Sequence, residues 1–179
     1  MTDWSQVVQQ HGPMVWRTAQ RLVNNEADAS DCFQRTFLAA LELERTQPVR
    51  NWPALLKRLA TARALECLRQ RRREAGRRAA LPEGSVADRR EVGPVQAAEA
   101  GELAEHLREA LAGLDAQQAQ VFCLACLDGF SYQQIADQLG VTVNYVGVLL
   151  HRARSGLQQR LQAHGPAPAE ARSKPEAQS

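Results

Sequence analysis

The twenty residues from Ser131 to Leu150 constrain this chain more than any other stretch, because every position that two closely crossing helices require is filled. Ser131 can cap a first helix, and Gln134, three residues on, completes a capping box. Ile135 and Leu139 fall on the inward face, and Ala136 is small enough for a second helix to cross close by. Gly140 can adopt the left-handed conformation that ends the first helix, and Thr142 can cap the second. Val141, Val146 and Leu149 complete an apolar triangle between them. This is helix-turn-helix spacing. In such a motif the second helix lies in the major groove of DNA, with its N-terminal half near the base edges. The exposed set would then be Thr142, Asn144, Tyr145 and Val148, with Arg152 and Arg154 further along to grip phosphate and His151 beside them.

The rest of the chain is also helical in pattern, and no stretch reads as a good strand. From Trp4 to Asn24, apolar residues at Val7, Val8, Val15, Trp16, Ala19, Leu22 and Val23 keep helical spacing, with a bend expected at Gly12-Pro13. Residues 25–30 offer turn and cap chemistry, and Asp28 and Asp31 place negative charge where a helix N-terminus favours it. A second helix follows through Cys32, Phe33, Thr36, Phe37, Ala40 and Leu41, closed by Pro48. Pro53 suits the first turn of a third, which runs through Leu56, Leu59 and Leu65 into an arginine cluster. Residues 74–100 show no apolar face and carry Pro82-Glu83-Gly84 and Gly93-Pro94, which points to a mobile linker. Helical spacing returns at Leu103, Leu107, Leu111 and Leu114, and again at Val121, Phe122, Leu124 and Leu127. Residues 164–179 have the composition of a disordered tail. The expected fold is all-α: two small helical domains, 1–73 and 101–163, joined by a flexible linker, with the helix-turn-helix in the second. Domains this small are marginally stabilised by a core of their own.

Charge distinguishes the two halves. The whole chain carries 22 Lys+Arg against 20 Asp+Glu, a net of +2. Residues 1–73 hold 12 basic against 7 acidic residues, whereas 101–163 hold 4 against 6. The basic half ends in Arg69, Arg71, Arg72 and Arg73, a cluster that attracts phosphate through its summed field. No apolar run approaches the roughly 18–20 residues that span a bilayer, and the N-terminus lacks the pattern of a signal peptide. A cytoplasmic protein with four reduced cysteines is expected.

Several blocks together resemble one family. Leu114-Asp115, Gln120-Val121-Phe122, residues 127–132 (LDGFSY) and His151-Arg152-Ala153-Arg154 are similar to the C-terminal domain of bacterial RNA polymerase sigma factors, most closely those of the extracytoplasmic-function (ECF) type. Residues 28–38 (DASDCFQRTFL) resemble that family's core-polymerase-binding region. Residues 56–60 (LKRLA) and 64–69 (ALECLR) resemble its helix for the minus-ten promoter element. The resemblance implies that Asp28, Asp31, Gln34, Thr36 and Phe37 dock on the clamp coiled coil of the polymerase core. Lys57, Arg58, Arg63, Arg69, Arg71, Arg72 and Arg73 would hold the minus-ten element. The second domain would read the minus-thirty-five element through the set named above and meet the polymerase flap. RNA polymerase core, promoter DNA and an anti-sigma factor are the implied partners, without membrane insertion.

Some positions depart from that pattern. Arg35 stands where the family usually has an acidic residue, Ala62 where an Asn commonly lines a pocket for an extruded base, and Leu55 where a Trp is usual. Gly147, Val148 and Leu149 replace residues that are often basic or polar in the recognition helix. Two other readings stay open on sequence alone: a stand-alone helix-turn-helix regulator, and a module that binds polymerase or an antagonist without opening promoters. No catalytic constellation is present, so no enzyme is expected. Cys123 and Cys126 form a C-x-x-C inside a helical pattern, where small buried hydrophobes are a better account than zinc or redox chemistry. No metal or cofactor is expected.

Overall fold

The computed structural model describes residues 2–79 and 95–164. Helix α1 spans Trp4–Val23, α2 Glu26–Thr46 and α3 Trp52–Ala79; α4 spans Val95–Ala112, α5 Ala116–Phe122, α6 Tyr132–Leu139 and α7 Val143–His164. There is no strand among the described residues. Local chemistry sets the helix ends. Asp3 accepts from the Gln6 amide and Asn25 from the Asp28 amide, while Asn24 adopts φ 48° to turn the chain between α1 and α2. The α1 helix continues through Gly12-Pro13 with Pro13 inside it, and Val7 and Val15 on either side are buried in one core. The ring of Phe33 covers Gly12, with space for little more than a methyl group between them.

The first three helices pack on one another around Val15, Ala40, Leu56 and Ala60. Trp4 and Trp52 close one end edge to face, 5.2 Å apart. Helices α5, α6 and α7 enclose a second core around Val121, Leu124, Ile135, Val146 and Leu150. The two helical domains are therefore as expected, but they are not held apart. A third core joins them: Leu22, Leu65 and Leu68 of the first domain pack with Leu111, Leu114 and Leu157 of the second. Each small domain thus gains buried apolar surface from the other, which offsets the shortfall that domains of this size face alone.

Helix α3 continues past the expected start of the linker to Ala79, ending with Arg77 and Arg78 in its last turn, where the helix dipole favours positive charge. Helix backbone begins again at Val95. Both ends of the 74–100 span are thus helical, and residues 80–94 lie outside the described residues, as does the expected tail from 165 onward.

Between α5 and α6 the chain makes a wide π-turn at Cys123–Leu127, closed by the Asp128 amide donating to the Cys123 carbonyl at 3.1 Å. Gly129 follows at φ 71°, a left-handed conformation that favours glycine. This irregular corner aims Asp128 and Phe130 at the first domain.

Candidate polymerase and nucleic-acid interfaces

The helix-turn-helix is built as its residues require. The Ser131 hydroxyl accepts from the Gln134 amide at 3.2 Å, and the Gln134 side chain accepts from the Ser131 amide at 2.9 Å. Gly140 ends α6 at φ 65°. The Thr142 hydroxyl accepts from the Tyr145 amide at 3.2 Å and so caps α7. Ile135, Ala136, Val146 and Leu149 are buried, and Leu139 and Val141 pack beside them. The opposite face of α7 presents Thr142, Asn144, Tyr145, Val148, His151, Arg152 and Arg154, all exposed. Tyr145 is steadied by a 3.4 Å hydrogen bond from its hydroxyl to Gln117, and Arg154 lies 4.0 Å from the Cys126 sulfur. The pair of cysteines divides: Cys123 is buried, whereas Cys126 is exposed, because the π-turn rotates it outward. Burial pushes the Cys123 thiol up to about 12. No cluster among the described residues could hold a metal ion.

On α2, the five residues expected to meet polymerase separate into two groups. Asp31 and Gln34 are exposed, and Asp28 is half-buried against α3. Thr36 is fully buried and donates its hydroxyl to the Cys32 carbonyl at 2.7 Å, and Phe37 packs into the first core beside Phe33. Thr36 and Phe37 therefore shape the helix from behind while Asp31 and Gln34 face outward. Leu38, 60% exposed, extends that outward face; it was missed because it looks like one more core leucine. Its spacing from Asp31 and Gln34 at seven and four residues was the available signal. Arg35 lies on the same side and bridges Asp31 at 3.6 Å and Glu66 at 3.2 Å, which neutralises part of the acidic face.

The seven basic residues of α3 that the resemblance assigns to the minus-ten element do not form one open patch. Arg58, Arg69 and Arg73 share one side of the helix by their spacing of eleven and four, Arg73 exposed and the others partly covered. Burial lowers the Arg58 guanidinium from its ordinary value without discharging it. Arg63 pairs with Glu66 at 3.0 Å. Arg71 donates to the Val23 carbonyl at 3.0 Å and is ion-paired with Asp28. Arg72 reaches the seam, where its guanidinium and that of Arg160 crowd Gly113 so closely that a Cβ there would collide with both. Lys57 lies 3.9 Å from Asp128 and 5.5 Å above the Phe130 ring.

Two family models match in order. The one described as "Sigma-70 region 2" covers residues 7–74, and "Sigma-70, region 4" covers residues 104–157. The chain belongs to the sigma-70 family. It is 31% identical over 165 residues to the ECF RNA polymerase sigma factor SigE of Mycolicibacterium smegmatis, an alignment covering 92% of this chain and 63% of that protein. It is 28% identical over 134 residues to the ferric citrate uptake sigma factor FecI of Escherichia coli, covering 73% of each. The chain thus spans less than two thirds of SigE. Among solved structures, CnrH in complex with the cytosolic domain of CnrY is similar at a TM-score of 0.54 and 26% identity, covering 90% of this chain and 88% of that one. The sigma factor RpoE from Bartonella quintana, in complex with the anti-sigma factor NepR, shares the fold at a TM-score of 0.52 and 24% identity, covering 90% and 98%.

Within this sigma fold the departures acquire a physical setting. Leu55 is buried in the first core, so the position where the family usually has Trp serves packing here. Ala62 is only partly covered on α3. No helix among the described residues is long and apolar enough to cross a membrane.

Proposed function

We propose that this sigma-family chain is the promoter-recognition subunit of an RNA polymerase, working without catalysis of its own and in the cytoplasm. In this reading the α2 face around Asp31 and Gln34 docks on the clamp coiled coil of the core enzyme. The basic residues of α3 hold the backbone of the opened minus-ten strand. The α7 face reads the minus-thirty-five element, and Arg152 and Arg154 grip phosphates beside it. The observation that carries this is the pairing of a fully capped helix-turn-helix, its whole reading face exposed, with an exposed α2 face in the expected order along the chain. A protein antagonist is a further partner, a reading supported by the structural neighbour RpoE, solved bound to the anti-sigma factor NepR.

Because the chain as a whole is nearly neutral at +2, it should bind free duplex DNA poorly and rely on polymerase to hold both domains on a promoter. In-vitro transcription with purified core enzyme on a genomic template library tests the reading. Promoter-specific transcripts that depend on this protein are expected. A protein that bound core enzyme but started no transcript would be an interaction module instead, and one that bound duplex operator DNA tightly without core enzyme would be a stand-alone regulator.

A further inference from the structure

We infer that Asp128 is an internal substitute for DNA phosphate, by which the C-terminal domain closes over its own N-terminal domain and occupies part of the basic face that should take the minus-ten strand. The inference rests on the promoter-binding reading of α3 and adds to it a means of regulation.

The Asp128 side chain is only 4% exposed although it sits at a surface corner of its own domain. Its cover comes from the other domain. Arg21 of α1 donates to Oδ1 at 3.0 Å, Lys57 of α3 stands 3.9 Å from the same oxygen, and the Thr61 hydroxyl lies 3.5 Å from Oδ2. Two cations and a hydroxyl converging on oxygens of one anionic group is the donor set that backbone phosphates receive from proteins. The neighbouring Phe130 places its ring under the Lys57 ammonium at 5.5 Å, so an aromatic face accompanies the anion, much as a base accompanies its phosphate.

The arrangement is aimed by backbone, not left to side-chain chance. The π-turn and the left-handed Gly129 project Asp128 and Phe130 from the second domain. Arg21 also donates to the Leu127 carbonyl at 3.0 Å, which fixes its guanidinium on this corner. Further along the seam, Gln120 donates to the Arg58 carbonyl at 3.3 Å and Arg108 to the Leu22 carbonyl at 2.9 Å. The apolar seam supplies adhesion, and the Asp128 cluster supplies register and competition. A nucleic-acid strand gains Arg21 and Lys57 only by displacing Asp128, and an unpaired carboxylate left in that notch would be strongly unfavourable. Strand binding and domain closure are therefore mutually exclusive at these two cations.

The test uses the full chain, small-angle X-ray scattering, and anisotropy titrations with a fluorescein-labelled twelve-residue oligothymidylate. Asp128→Asn, which keeps the shape and removes the charge, is expected to enlarge the radius of gyration and to bind the oligonucleotide about ten-fold more tightly. Its log–log salt slope should steepen by about 1.4, the value for two more cations engaging a single strand. Arg21→Asp, which repels Asp128 from the opposite side, is expected to open the chain in scattering as well. If both variants are folded by circular dichroism and scatter like the parent, the latch is overturned. It is equally overturned if Asp128→Asn opens the chain with no gain in oligonucleotide affinity. Failure of the parent to support transcription with core enzyme would instead remove the promoter reading, and would leave the scattering result standing.

Discussion

Asp28 on α2 is ion-paired with Arg71 on α3, so two residues whose sequence contexts point to different macromolecules hold each other. The Asn25 side chain fixes the same turn by accepting from the Asp28 amide at 3.0 Å. Asp28 is thereby a structural brace between helices, and Asp31, with its carboxylate 62% exposed and bridged by Arg35 on the same face, is the acid that faces outward. Asp28→Ala is expected to lower stability by roughly 1 kcal/mol, combining a partly exposed ion pair with the helix-dipole contribution. Asp31→Ala should leave the melting temperature within about a degree and instead weaken association with core polymerase several-fold. Thermal denaturation and a fluorescence binding assay of both variants separate the two roles; a larger stability loss for Asp31→Ala would reverse them.

The two glycines of the helix-turn-helix should respond oppositely to alanine. Gly140 sits at φ 65°, where a Cβ is strained, so Gly140→Ala is expected to cost about 1–2 kcal/mol. Gly147 is inside α7, and a Cβ there meets only the Tyr132 ring at an ordinary 3.8 Å. Gly147→Ala is expected to stabilise by about 0.5–1 kcal/mol through helix propensity. Denaturant titration of the two single variants checks the signs, and a destabilised Gly147→Ala would mean that the close approach of Tyr132 matters more than propensity.

Local chemistry was legible in the sequence to the level of single bonds. The Ser131–Gln134 capping box, the left-handed Gly140, the Thr142 cap and the buried Ile135–Val146 pair all depend on neighbours within one supersecondary unit, so spacing alone reveals them. The partnership of the domains was not legible. Asp128 and Arg21 are 107 residues apart, and nothing in either local pattern says that one will cover the other. The same limit explains Cys126, whose outward rotation comes from a π-turn that helical periodicity does not encode. It also explains Thr36, a polar residue that α2 buries by satisfying its hydroxyl on its own backbone. For the residues that the sequence assigns to contacts on α2 and α3, the division between outward-facing side chains and internal braces required the packing.

Thiol chemistry gives an independent check on that packing. Cys126 is exposed, Cys32 and Cys123 are buried, and Cys67 is half-covered. Burial holds the Cys123 thiol near 12, and hydrogen bonding to Cys32 together with burial pushes the Cys67 thiol up. At pH 7.5 a thiol raised in this way carries almost no thiolate, the reactive form. One equivalent of Ellman's reagent is expected to react rapidly with the native chain, and Cys126→Ser should abolish that fast phase. Full reaction of all four thiols should require denaturant. A fast phase of two or more equivalents in the native chain would contradict the burial of the others.

Arg152 offers the cleanest separation of phosphate contact from fold. It is exposed on α7, one turn beyond Val148, and is not part of the buried stripe of Val146, Leu150, Ala153 and Leu157. Its loss should therefore not disturb the core, and the melting temperature of Arg152→Ala is expected to match the parent within about a degree. As a phosphate contact it should contribute equally on any duplex sequence, so weakened binding should be uniform across promoters. The slope of log affinity against log salt should fall by about 0.9, the value for one counterion-releasing contact on duplex DNA. The measurement is a salt series of holoenzyme binding to two promoters that differ in their minus-thirty-five elements. An unchanged slope would remove Arg152 from the phosphate contacts, and a loss confined to one promoter would instead make it a base-reading residue.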